Sequence, residues 1–173
     1  MAEAATFSAS ESLRDGRRVE IRALRPDDRS GFAEAVSRSS AESLRRRFFG
    51  PKRTFTEQEV SFFVNVDFVN HVALVAVAEE GGQSTIVGGA RYIVVGPGQA
   101  EVAFNVVDQS QGQGVGAALM RHVTAIAREA GIKELIADVL QENTPMLRVF
   151  EKSGLRMSTT RKGGVAHVVL RLL

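Results

Sequence analysis

Apolar and polar positions alternate along the chain in blocks whose period changes from element to element. Over residues 18–24, Val19 and Ile21 alternate with Arg18, Glu20 and Arg22, and this two-residue period predicts a strand with one buried face. Pro26 followed by Asp27 and Asp28 marks a helix start, since negative side chains there meet the positive end of the helix dipole. Phe32, Ala35 and Val36 supply its apolar stripe. A second helical stretch over residues 41–48 stops before Gly50 and Pro51. Thr56 and Glu59 form a capping box that opens a third helix, with Val60, Phe63 and Val64 on one side.

The middle of the chain reads as strands. Residues 69–79 and 86–95 are β-branched runs separated by a turn-forming segment around Gly81 and Gly82, which predicts an antiparallel hairpin. Residues 100–107 form a third strand after the Gly96-Pro97-Gly98 turn. Leu119, Val123, Ile126 and Ala127 then place a helix over residues 114–130, with Gly131 at its C-terminal cap. A strand over 134–140, a helix over 144–153 and a closing hairpin of residues 155–160 and 165–172 complete the order. No repeat or internal linker interrupts it. The fold class is therefore α/β (α+β), a mixed and mostly antiparallel sheet of six or seven strands flanked by helices.

Composition narrows the classes. The 173 residues suit one domain, expected over residues 17–173, behind a flexible tail over residues 1–16 rich in Ala, Ser and Glu. A formal net charge of +2 makes neither nucleic acid nor an anionic membrane the default partner. The absence of cysteine excludes disulfides, thiolate metal sites and a cysteine acyl-enzyme. His71, His122 and His167 have no metal-ligand spacing, so no metal is expected. The start of the chain lacks a basic region and an apolar run, and no segment approaches the roughly 20 apolar residues of a membrane span, so a cytoplasmic protein is expected.

Chemistry concentrates in residues 100–117. A near-continuous apolar strand runs into Gly112, Gly114 and Gly116 at a helix start, where bare N–H groups lie at the positive end of the helix dipole. Such a loop suits a phosphate, because glycine lets an anion approach the main chain and accepts positive φ. Gly112-x-Gly114-x-x-Ala117 also fits the dinucleotide fingerprint, with Asp138 near the expected ribose acid. Its late position and the residues intervening after the strand argue against that reading. A P-loop lacks its Gly-Lys-Ser/Thr.

Gln111-x-x-Gly114-x-Gly116, preceded by Val106 and Asp108, resembles the cofactor signature of the GNAT acyltransferases. The segment from Asn143 through Met146, Leu147, Phe150, Glu151, Lys152 and Gly154 to Leu155 is similar to a second motif of that family. The resemblance implies acetyl-CoA or another acyl-CoA, with its diphosphate on the amides of Gln111, Gly112, Gln113, Gly114, Val115, Gly116 and Ala117. It places the pantetheine beside Phe104, Asn105 and Val106, and brings Asn143 and Phe150 to the cofactor. It also implies direct transfer to an amine, without a covalent enzyme intermediate, and an oxyanion contact from a main-chain N–H near Val106.

An amine acceptor is almost wholly protonated at neutral pH, so a base is required. Glu101 is the candidate: it sits in an apolar strand, on the face shared by Ala103 and Asn105, and burial there would raise its pKa. The competing reading is a strand-end acid paired with Arg91. Phe150 stands where many relatives carry tyrosine, so the thiolate finds no phenolic acid there. Tyr92, the only tyrosine, is a weak substitute, and solvent remains.

The stretch Ile21-Arg22-x-Leu24-Arg25-Pro26-x-Asp28, the segment Ser43-Leu44-x-x-Arg47-Phe48-Phe49-Gly50 and the placement of Glu101 look like the catalytic domain of bacterial protein lysine acetyltransferases that modify acyl-CoA synthetases. The expected acceptor is then an exposed protein lysine. A small amine or antibiotic acceptor, and a CoA-binding module without catalysis, stay open. Arg45, Arg46 and Arg47 read as a solvated face, and Phe48, Phe49, Phe62 and Phe63 as core.

Overall fold

The computed structural model describes residues 2–37, 56–107 and 111–172. The expected helix over 41–48, the Arg45–Arg47 run, Phe48, Phe49 and Asp108 lie outside them. Eight strands form one sheet: β1 (Ser8–Ser12), β2 (Arg18–Ala23), β3 (His71–Glu80), β4 (Gln83–Gly96), β5 (Gln99–Val106), β6 (Glu134–Leu140), β7 (Arg156–Lys162) and β8 (Val165–Arg171). Their spatial order is β1-β2-β3-β4-β5-β6-β8-β7. Only β5 and β6 run parallel among these pairs. Helices α1 (Arg29–Ser37), α2 (Glu57–Val64), α3 (Val115–Glu129) and α4 (Thr144–Glu151) flank the sheet, and a short helical turn spans Ala2–Ala5.

The sheet has one strand more than the larger count expected, because the segment read as a loose tail is ordered into β1. Ser8–Ser12 pairs antiparallel with β2, and Leu13 behind it is 6% exposed. Its polar sequence hides this: no residue of β1 is fully buried, so the ladder to β2 and contacts to α3 define it. Glu11 is the main contact, accepting from Arg121 Nη2 at 2.6 Å and sharing a 2.6 Å hydrogen bond with His122 Nε2.

β3 is buried along residues 71–78, as a central strand covered on both faces requires. A bulge in β4 divides those faces. Val77 pairs with Ile86 and Ala76 with Gly88, so Val87 has no opposite residue and the alternation slips by one. Ile86 consequently faces α1, where a Cβ on Gly31 would lie 3.0 Å from its Cδ1. Gly88 faces α3, where a Cβ would lie 3.0 Å from a Val115 methyl.

Local signals hold the helices in place. The Thr56 hydroxyl accepts from Glu59 N–H at 3.1 Å and the Glu59 carboxylate accepts from Thr56 N–H at 3.0 Å. Arg22 reaches from β2 to Asp28 with two hydrogen bonds of 2.8 Å, and Arg25 N–H adds a third at 2.7 Å. Burial pushes the Asp28 carboxyl up, but the Arg22 guanidinium and the Arg25 N–H outweigh it and hold it below its ordinary value. This staple fixes the entry of α1 over the sheet.

Candidate active site

The parallel ladder between β5 and β6 has three rungs, Gln99 with Glu134, Ala100 with Leu135 and Glu101 with Ile136. Beyond them the strands diverge. Val107 N–H bonds to Val87 on β4, so alternation turns the main-chain groups of Val106 and Phe104 to the other side, into the gap. An extended ligand can pair with such groups as an added strand would. Gln111 closes the top of the gap by donating its side-chain amide to Val106 O at 3.0 Å.

Into this gap opens a cleft of about 1130 Å³. Its walls carry five cations, Arg14, Arg121, Arg128, Arg148 and Lys152, against two carboxylates, Glu101 and Asp138. That balance suits an anionic ligand. Gly114 is the N-cap of α3, with φ 99° and no side-chain cap, so the first amides of the helix are left without an intrahelical partner. Gly112 is also left-handed, with φ 80°. A Cβ at Gly112 or Gly114 would meet nothing within 4 Å, so the loop presents open main chain. Gly116 serves another purpose: a Cβ there would sit 3.4 Å from a Val149 methyl, so its smallness lets α3 and α4 approach. The donor set and open glycines fit a diphosphate.

Of the residues singled out by sequence, Glu101, Phe104, Asn105, Val106, Gln111, Gly112, Gly114, Val115, Gly116, Ala117, Asn143 and Phe150 all line the cleft. Gln113 does not; its carbonyl accepts from Arg14 N–H at 3.0 Å. Asn143 caps α4, its side-chain oxygen accepting from Met146 N–H at 3.3 Å. Phe150 is 1% exposed and meets Phe104 edge to face, with ring centroids 5.9 Å apart. The two rings make an apolar floor beside the gap.

Glu101 departs from expectation in one respect. It lies on the expected face, but it is exposed rather than buried, although Ile136 of β6 is still its partner on the ladder. The pairing with Arg91 is not made either: among the described residues Glu101 has no ion-pair partner. Arg91 instead donates to Phe63 O at 2.9 Å, lies 2.8 Å from His71 Nε2 and stacks over the Phe63 ring. Tyr92 is 1% exposed on the opposite face, outside the cleft, and burial pushes its hydroxyl pKa up. Phe62 is 54% exposed over His71 and is not core, whereas Phe63 stacks on Phe32.

Sequence reasoning missed the cations. Arg148 and Lys152 could have been found, since they stand one helical turn apart inside the motif around Asn143. Arg14 could not, because its partner Gly112 is 98 residues away.

Residues 39–155 match the sequence model of the Acetyltransferase (GNAT) family. The chain is 35% identical over 126 residues to Acetyltransferase PA5475 of Pseudomonas aeruginosa, covering 72% of this chain and 68% of that protein. It is 30% identical over 144 residues to Acetyltransferase Pat of Mycolicibacterium smegmatis, covering 82% of this chain and 42% of the longer relative. The crystal structure of the GNAT domain of S. lividans PAT superposes with a TM-score of 0.85 at 34% identity, covering 95% of this chain and 96% of that domain.

Proposed function

The chain belongs to the GNAT family of acetyltransferases, and from that premise we propose that it transfers the acetyl group of acetyl-CoA to a lysine side chain on a protein. The carrying observation is the cationic cleft that joins the open glycine loop to the gap where Glu101 stands. The amides of Gly112 to Ala117 bind the diphosphate, helped by the dipole of α3. Phe104 and Val106 offer main-chain groups to the pantetheine amides, and Phe150 with Phe104 excludes water below them.

Acetyl-CoA supplies an activated thioester carbonyl. Glu101 takes a proton from the acceptor ammonium, directly or through a water, because a lysine with pKa near 10.4 is neutral in only about one molecule in a few thousand at pH 7. Val106 N–H steadies the carbonyl oxygen as charge develops. The amine nitrogen bonds to the carbonyl carbon, the C–S bond breaks, and the thiolate takes its proton from solvent, since Phe150 has no hydroxyl to give.

A protein acceptor is favoured by the face on which Glu101 stands. Beneath α1 and α2 that face holds a cavity of only about 70 Å³, lined among others by Phe32, Phe63 and Ala103. Glu101 itself lines the larger cleft and is exposed, so its approach among the described residues is open. The sequence resemblance carried by residues 21–28 and 43–50 and by Glu101 favours a lysine of an acyl-CoA synthetase type of protein as the acceptor. Incubation with labelled acetyl-CoA and lysate proteins, beside a panel of small amines, tests this by mass spectrometry. Label on protein lysines supports the reading; label confined to small amines reassigns the acceptor; CoA binding with no transfer to either makes the chain a binding module.

A further inference from the structure

We propose that Arg14 is a positioning residue for the acyl donor, the tip of an N-terminal clasp that orients the diphosphate loop; the proposal rests on the reading of that loop given above. Arg14 follows the end of β1 and makes two contacts with the loop. Its main-chain N–H donates to Gln113 O at 3.0 Å and its guanidinium donates to Gly112 O at 3.1 Å. No peptide of the described residues is cis. In a trans peptide the C=O and N–H point to opposite sides. Holding the carbonyls of Gly112 and Gln113 toward Arg14 therefore turns the N–H groups of Gln113 and Gly114 away from it.

The clasp is anchored at three points. Leu13 is buried next to Arg14, its N–H bonded to Arg17 O at 2.8 Å. Glu11, two residues before Leu13, is held by Arg121 and His122 on α3, the helix whose N-terminus the loop forms. Phe7 packs on the His122 ring with centroids 5.3 Å apart. The arm and the helix are thus one body on either side of the loop. A loop with glycines at 112 and 114 has many conformations open to it, and fixing two of its peptides lowers the entropy lost when an anion binds. The Arg14 side chain also lines the cleft, so a guanidinium engaged with Gly112 O keeps positive charge at the rim.

The test separates an effect on the diphosphate from one on the fold. Arg14→Met keeps the stem and the main-chain bond to Gln113 and removes the guanidinium. Titration calorimetry with CoA, and with pantetheine, which lacks the diphosphate, is run on the parent and the variant, with thermal unfolding in parallel. The expected result is about a tenfold rise in the Kd for CoA, the size of one charge-assisted contact, with pantetheine affinity unchanged and the kinetic loss mainly in KM for acetyl-CoA. A CoA Kd within twofold of the parent's overturns the clasp, as does an equal loss for both ligands. A parent that binds no CoA sinks the donor reading itself, a failure visible before any variant is made. Should Arg14→Met not fold, Arg14→Gln carries the same comparison.

Discussion

Glu101 and Ile136 form the last rung of the parallel ladder between β5 and β6. The carboxylate stands at the fork of the gap, one residue before the strands stop sharing hydrogen bonds. The first unpaired main-chain groups of β5 lie immediately beyond it. That position puts the carboxylate at the head of the cleft that runs on to the glycine loop.

Glu101→Gln preserves the shape of the side chain and removes its basicity. It is expected to lower kcat about 10²- to 10⁴-fold at pH 7, with the Kd for CoA nearly unchanged. Steady-state rates over a pH series, with calorimetry for CoA, measure both. An unaltered kcat removes Glu101 from the base role.

Gly114→Glu places bulk and negative charge in the open loop, at a residue with φ 99° that side chains rarely adopt. Loss of CoA binding by at least about 100-fold is expected from like-charge repulsion and a blocked approach. Calorimetry showing retained affinity would refute the loop assignment.

Gly116→Val tests the second use of glycine in the same segment. A Cβ there already lies 3.4 Å from the Val149 methyl, so the branched side chain must push α3 and α4 apart. A destabilisation of about 1–3 kcal/mol is expected, read as a lower midpoint in urea. A midpoint equal to the parent's means the helices move apart without cost.

Asp28 gives the fold a sensitivity to acid. Its carboxyl is held below the ordinary 3.8 in the folded state, so its contribution is present above that value and is lost as pH falls through the folded pKa. Asp28→Asn, which leaves Arg22 unpaired with side chains only 11% and 10% exposed, is expected to cost about 2–4 kcal/mol at pH 7. Melting curves between pH 7 and pH 3 should converge for the two proteins toward the acid end. A constant gap would place the linkage elsewhere.

The strand over residues 134–140 was legible to the residue, because its apolar alternation is bounded by Gly131 on one side and Asn143 on the other. The capping box at Thr56 was equally readable, since both partners lie within four residues. β1 was not, because Ser8–Ser12 carries no apolar signature and takes its conformation from β2. Alternation gave the face of Glu101 but not its exposure, which depends on what the rest of the fold lays over that face. The glycine loop declared itself, while the arginine bracing it belongs to a distant part of the chain.

The unopposed Val87 also sets where the chain tolerates changes in length. Removing it would restore strict alternation in β4, swing Ile86 off Gly31 and exchange inside for outside along the start of that strand. Gly81 and Gly82 at the hairpin tip stand in open space. Insertions can accumulate at such tips, whereas a single-residue deletion at the kink would scramble the partners of both helical layers.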